Sequence, residues 1–155
     1  NFKTMKLAIL AVMIIAISCA LALRPTPAKG KDLENYLKGA KDGTFIVLFY
    51  DREAPQLRTE GFRNQINSKI LSQNPAFNYF EVDIQEGEYN NIVDKMMKID
   101  RTQCKHSPTI LVASEGRGYW AHGDGAVDDI AYHMNQYSID MIRESRERTD
   151  FSIYR

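Results

Sequence analysis

The apolar residues of this chain occur in two kinds of pattern, short unbroken runs and stripes at helical spacing. The two clearest runs cover residues 45–50 and 109–113, and both are rich in β-branched or aromatic side chains. An apolar run of this length without polar interruptions is typical of a strand that is covered on both faces. We therefore predict two central strands in a buried sheet.

Two further segments are predicted to complete the sheet. Residues 77–84 alternate in a strand-like way, and Gln85-Glu86-Gly87 ends that strand. Residues 115–118 combine two glycines with polar side chains and predict a hairpin turn from the second central strand into residues 119–121. The sheet is thus expected to contain at least four strands.

Apolar residues three and four positions apart predict four helices. We expect Asp32 to cap the first helix, Pro55 to open the second, and the last to start near Ala126. The predicted apolar faces are Leu33, Tyr36 and Leu37; Leu57, Phe62, Ile66 and Ile70; Tyr89, Ile92, Val93, Met96 and Met97; and Val127, Ile130, Met134, Tyr137 and Met141. The order of elements predicts an α/β sandwich with a mixed sheet.

Length and charge limit the number of domains and the kinds of partner that this chain can have. The 155 residues fit one domain with a terminal extension better than two domains. The 20 Lys and Arg residues balance the 20 Asp and Glu residues, so no net field attracts the chain to nucleic acid. We therefore expect no nucleic-acid partner.

The N-terminal segment has the composition of a targeting sequence. Lys3 and Lys6 precede an apolar run over residues 7–23 that ends in small side chains. This pattern is typical of a secretory signal peptide, with cleavage after Ala20 or Ala22. The alternative is an uncleaved helix that anchors the protein as a single-pass membrane protein, because the run reaches the lower limit of roughly 17 residues for spanning a bilayer.

These segments predict the domain organisation of the whole chain. Residues 1–23 form the signal peptide or anchor, residues 24–31 a proline-containing linker, residues 32–148 the folded domain, and residues 149–155 a loose or partner-bound tail. A cleaved signal predicts a protein of the secretory pathway, either in the endoplasmic reticulum lumen or secreted.

Two junctions carry a family resemblance. The first central strand enters a helix at Phe49-Tyr50-Asp51, and Ser107-Pro108-Thr109 starts the second central strand. Together with Val-Asp-Ile at residues 82–84, this arrangement resembles the thioredoxin fold, a three-layer sandwich, over residues 32–141. The resemblance implies a cis peptide bond before Pro108, beside residues 54–57, and an exposed backbone at Ser107 that hydrogen-bonds extended peptides.

The chain differs from that family at the position of the redox-active Cys pair. Ala54-Pro55-Gln56-Leu57 stands where the redox-active Cys pair is expected. Thiol-disulfide exchange needs a thiolate of lowered pKa and a second sulfur to resolve the mixed disulfide. We therefore expect no enzyme of the dithiol type and no cofactor. His122 and His133 lack the spacing of metal ligands, so no metal site is expected either.

Cys104 is the remaining cysteine if the N-terminal segment is removed. It is interpreted either as a small, partly buried residue without a redox role or as a thiol that forms an intermolecular disulfide. His106, two residues later, suggests a third hypothesis, a single-thiol enzyme, although no orienting third group is evident for such a pair.

The leading hypothesis is a redox-inactive thioredoxin-like protein that binds a partner protein or client polypeptide. Asp51, Arg52 and Glu53 are interpreted either as a solvated loop with local ion pairs or as the polar rim of a peptide groove. The candidate binding face consists of Asp51, Arg52, Glu53, Ala54, Pro55, Gln56, Cys104, His106, Ser107 and Pro108. The alternative hypothesis is an accessory subunit of a membrane complex, anchored by residues 7–23.

Overall fold

The computed structural model describes residues 29–136 and 148–151, and it shows an α/β fold built on a mixed sheet. The strands are β1 (Thr44–Tyr50), β2 (Asn78–Asp83), β3 (Thr109–Ser114), β4 (Arg117–His122) and the short β5 (Arg148–Asp150). Their order in the sheet is β2-β1-β3-β4-β5. β1 and β2 run parallel, and the other neighbouring pairs are antiparallel. The predicted α/β class and mixed sheet are confirmed.

Alternating residues of the two central strands face two separate cores. In β1, Phe45, Val47 and Phe49 pack in one core, whereas Ile46 and Leu48 pack in the other. Both sets are buried because successive side chains of a strand point to opposite faces of the sheet. This double burial explains why the sequence of β1 is apolar without interruption.

Helical segments cover both faces of the sheet. They are α1 (Gly30–Leu37), α2 (Gln56–Ile66) with a π-helical continuation (Asn67–Leu71), a 3₁₀ turn (Gly87–Tyr89), a π-helical segment (Asn91–Met96), α3 (Arg101–Cys104) and α4 (Ala126–Gln136). α2 and α4 supply the core on one face, and the segments from α1 and from residues 87–104 supply the other. None of the described helices combines the length and the apolar composition needed to cross a membrane.

The first helix begins earlier than predicted. α1 starts at Gly30, so Asp32 lies in its first turn and is not the cap. The Gly30 N–H donates to Glu88 Oε2 at 3.0 Å, and a Cβ at Gly30 would lie 2.2 Å from the Glu88 carbonyl oxygen. The predicted linker over residues 24–31 is therefore wrong at its end. The predicted signal or anchor over residues 1–23 lies outside the described residues.

The apolar face of α2 excludes Leu57. Phe62, Ile66 and Ile70 are buried as predicted, but Leu57 is 89% exposed. Leu57 precedes Phe62 by five residues, which rotates it about 140° around the helix. Thr59, three residues before Phe62, takes the inward position instead and is buried.

The predicted hairpin is confirmed, and the predicted loose tail is wrong for the residues that are described. Glu115 and Gly116 both have positive φ, at 51° and 82°, as the common two-residue hairpin turn requires. Beyond them, β5 pairs with the outer side of β4, and Phe151 is fully buried. Its N–H donates to the Gly116 carbonyl oxygen at 2.7 Å. Tyr137 and Met141, predicted for the last apolar stripe, lie outside the described residues.

Candidate functional site

The end of β1, the start of α2 and the start of β3 meet at one edge of the sheet. Phe49 and Thr109 are directly paired in the β1–β3 register. Ser107 Oγ donates to Asp124 Oδ1 at 3.0 Å, and Arg58 Nη2 donates to the same oxygen at 2.5 Å. Asp124 therefore connects the loop before β3 to the first turn of α2.

The electrostatic effect of this connection is seen on Asp124. The hydrogen bond from Arg58 holds the pKa of the Asp124 carboxyl below its ordinary value, and the bond from Ser107 acts in the same direction. The side chain stays exposed, so the contact orients the loop more than it stabilises the fold.

The outer part of this edge is formed by the residues that replace the expected Cys pair. We call Ala54, Pro55, Gln56, Leu57 and Arg58 the edge surface. Ala54 is half-buried and the other four are exposed, with Leu57 the most exposed large apolar side chain among the described residues. The edge surface offers an aliphatic group, an amide and a guanidinium group, but no nucleophile.

Asp51 is buried and does not form an exposed polar rim. Its side chain is only 1% exposed. Oδ1 accepts the Glu53 N–H at 2.8 Å, and Oδ2 accepts Gln85 Nε2 at 2.9 Å. Because both carboxylate oxygens are engaged inside the protein, Asp51 closes the turn after β1, and the interpretation of Asp51 as a rim residue is wrong.

Arg52 and Glu53 do form local ion pairs on a solvated loop. Arg52 Nε lies 2.6 Å from Asp83 Oδ2, and Lys105 Nζ lies 3.5 Å from Glu53 Oε2. Asp83 is buried at the end of β2 and also accepts the Gln85 N–H at 3.0 Å. Sequence reasoning overlooked Asp83, whose signal was its position at the carboxyl end of a strand parallel to β1.

A small groove lies beside the edge surface. Its volume is about 150 Å³, and it is lined by Tyr50, Asp51, Arg52, Ala54, Gln56, Thr59 and Arg63. The Arg63 guanidinium makes two 2.9 Å hydrogen bonds to the Glu81 carboxylate and lies 5.2 Å from the centre of the Tyr50 ring. These bonds raise the pKa of Arg63. The guanidinium therefore forms a rigid wall of the groove that sequence reasoning did not identify.

Cys104 lies in the interior of the protein, beneath this edge of the sheet, and is not part of the edge surface. The sulfur is fully buried and donates to the Phe49 carbonyl oxygen at 3.5 Å. Burial raises the pKa of the Cys104 thiol to about 11; the backbone of Thr109 opposes this change, and the charge of Asp51 adds to it. His106 is exposed, so the imidazole and the sulfur lie in different environments. A buried thiol with a raised pKa is a poor nucleophile.

The predicted geometry of Pro108 is wrong. The described residues contain no cis peptide bond, and trans is the favoured state of a bond before proline. The N–H groups of His106 and Ser107 donate to the Gln103 carbonyl oxygen at 2.9 and 3.1 Å. This turn connects α3 to β3. The turn engages the Ser107 N–H inside the protein, and both Ser107 and Pro108 are buried. The expected exposure of the Ser107 backbone is therefore wrong.

The two described histidines outside this loop have protein partners. His122 Nδ1 lies 3.1 Å from Thr109 Oγ1, and His133 Nε2 lies 3.4 Å from Asp129 Oδ1. Within residues 29–136 and 148–151, no three His, Cys, Asp or Glu side chains are grouped so that they could hold a metal ion.

No protein-family model matches the sequence, and no curated protein matches it.

Proposed function

We propose that the chain is a redox-inactive thioredoxin-like protein that binds a segment of a partner polypeptide at the edge surface. The fold resemblance is supported by a parallel β1–β2 unit connected through α2, followed by the β3–β4 hairpin and α4 on the same mixed sheet. Helical segments on both faces agree with a three-layer sandwich.

The observation that carries the proposal is the exposure of Leu57. An aliphatic side chain that is 89% exposed stands beside Pro55 and Gln56 near the carboxyl ends of the parallel strands β1 and β2, where α/β folds keep their ligands. Cys104, the cysteine among the described residues, is buried with a raised pKa. The edge surface is therefore suited to contact and not to thiol chemistry.

The test measures binding of fluorescently labelled scrambled ribonuclease to the full chain by anisotropy. Leu57→Asp places a charge in the contact and is expected to weaken binding about tenfold, the effect of losing one buried aliphatic contact. Tyr132→Asp is the matched control, because Tyr132 is a 55% exposed apolar residue on α4. Equal affinities of the two variants would contradict the proposed surface.

Redox inactivity is tested separately by insulin reduction and by refolding of scrambled ribonuclease. We expect neither activity above the uncatalysed rate. Activity that survives Cys104→Ser would overturn the proposal, since it would require chemistry outside the described cysteine. Activity that is lost in this variant would favour the single-thiol enzyme.

The secretory location and the membrane-subunit alternative both depend on residues 1–23. We propose cleavage and a secretory location from the composition of that segment. The intact mass of the native protein tests this. A mass that begins at Leu21 or Leu23 agrees with cleavage, whereas a mass that includes Met5 favours the membrane-anchored subunit.

A further inference from the structure

A second cavity lies at the same edge of the sheet, on the face opposite α2. We call it the Trp120 cavity. It measures about 110 Å³ and is lined by Met97, Lys98, Ile99, Asp100, Gln103, Thr109, Trp120 and His122. Thr109 directly follows Pro108, so the cavity adjoins the loop that Asp124 connects to the edge surface.

The strand register explains why these side chains meet. Thr109 and His122 are directly paired between β3 and β4, and Trp120 precedes His122 by two residues, so it shares the same face of the sheet. Trp120 is half-buried against the core on that face, together with Met97 and Ile99. The cavity thus has an apolar wall of indole, thioether and aliphatic groups.

The same face of the sheet also contributes polar groups to the cavity, and the exposed His122 has one ring nitrogen that no described residue engages. Thr109 Oγ1 occupies His122 Nδ1 at 3.1 Å, and His122 Nε2 has no hydrogen-bond partner among the described residues. Depending on the tautomer, Nε2 either donates or accepts a hydrogen bond. A phenolic hydroxyl does both, so it matches either tautomer.

The walls are held in place before any ligand enters. Met97 and Ile99 donate their N–H groups to the carbonyl oxygens of Ile92 and Val93 at 2.8 and 2.9 Å. Asp100 accepts the Gln103 N–H at 3.2 Å and so fixes the start of α3. A ligand therefore does not have to order this segment, which removes part of the cost of binding.

We propose that the Trp120 cavity binds the ring of a tyrosine side chain, an inference that rests on the proposed function because the tyrosine belongs to the bound polypeptide. An apolar cavity of about 150 Å³ encloses a benzene ring. The Trp120 cavity is smaller, about 110 Å³, and partly open, so it takes in part of one ring while the rest protrudes with the attached chain. Indole and thioether groups both contact aromatic rings favourably, and His122 selects the hydroxyl.

The experiment uses the full chain labelled with ¹⁵N, because Trp120 is the only tryptophan and gives a single indole N–H signal. The probes are p-cresol, which represents a tyrosine side chain, and toluene, which represents phenylalanine. We expect p-cresol to shift the indole signal saturably and toluene to bind about three- to tenfold more weakly, the effect of one hydrogen bond.

Three variants test the assignment. Ile99→Phe fills the cavity and is expected to lower the affinity for p-cresol at least about tenfold. His122→Leu changes an exposed residue and is expected to remove the difference between the two probes. Tyr132→Asp lies on α4, which packs on the other face of the sheet, and should leave p-cresol binding unchanged.

The inference fails if p-cresol gives no saturable shift, if toluene binds equally well to the unmodified chain, or if Ile99→Phe has no effect. This failure is distinguishable from failure of the proposed function. If scrambled ribonuclease binds but p-cresol does not, the inference about the Trp120 cavity is wrong and the proposed function stands. If p-cresol binds but no polypeptide does, the proposed function is wrong.

Discussion

Alkylation of Cys104 by iodoacetamide is expected to be at least about a hundredfold slower in the folded protein than in the unfolded chain at pH 8. The thiolate is the reactive form of cysteine. Burial raises the pKa of the Cys104 thiol from the ordinary 9.0 to about 11. At a pH below the pKa, the thiolate population falls about tenfold for each pH unit by which the pKa rises. The rise from 9.0 to about 11 therefore lowers the thiolate population about a hundredfold. The full burial of the sulfur can only slow the reaction further.

The assay follows carbamidomethylation of the Cys104 peptide by mass spectrometry, with and without 6 M guanidinium chloride. Cys104→Ala in the same chain is the control, because it reports the labelling of Cys19 alone. Between pH 8 and 10 the rate in the folded protein should keep rising about tenfold per pH step, whereas the rate in guanidinium should level off above pH 9. Folded and unfolded rates within tenfold of each other would contradict the raised pKa and the burial of Cys104 and would favour the single-thiol enzyme.

The same pKa difference links Cys104 to stability. The folded protein holds the thiol proton more tightly than the unfolded chain does, so the associated stability is fully present below pH 9 and is lost as the pH rises towards 11. The loss amounts to about 2 to 3 kcal/mol. Urea denaturation at pH 8 and pH 10.5 should show this loss in the unmodified chain beyond any loss in Cys104→Ala.

Three further substitutions test the fold in urea denaturation. Phe151→Ala should cost about 3–5 kcal/mol because it empties a fully buried site, whereas Phe151→Leu should cost much less; equal values would mean that the segment after β5 does not pack on the sheet. Asp83→Ala removes the acceptor of Arg52 and should cost about 1–3 kcal/mol, while Glu86→Gln, at the exposed end of the same network, should stay within about 0.5 kcal/mol. Gly116→Ala should cost about 1 kcal/mol because φ is +82° in the hairpin turn; no loss would contradict that turn.

Much of the fold follows from local sequence patterns. The unbroken apolar run of β1 implies a strand covered on both faces, because no polar position remains to face water. Glu115 and Gly116 between two strand-like segments imply the hairpin, since glycine tolerates positive φ. The buried faces of Phe62 and Ile66 on α2 and of Val127 and Ile130 on α4 follow from the helical period. These features depend on residues that are close in the chain.

The candidate site was predicted less well, since its geometry depends on residues far apart in sequence. The burial of Asp51 depends on Gln85, which follows a different strand, and the burial of Cys104 depends on Phe49. A charged residue after a strand is usually solvated, so the sequence favours an exposed position unless the partner is known. Leu57 was misassigned for a different reason, because the helical rotation between Leu57 and Phe62 was not respected.

The α/β class, the two-sided burial of the central strands and the lack of a Cys pair at residues 54–57 follow from residue type and local periodicity. The groups that reach the surface at the edge of the sheet, in contrast, depend on tertiary contacts. The packing of α3 places the Cys104 sulfur against the Phe49 carbonyl oxygen, and the register between β3 and β4 brings Thr109 to His122. The physical reason is that strand pairing joins residues tens of positions apart, so exposure and pKa at this edge are properties of the assembled sheet.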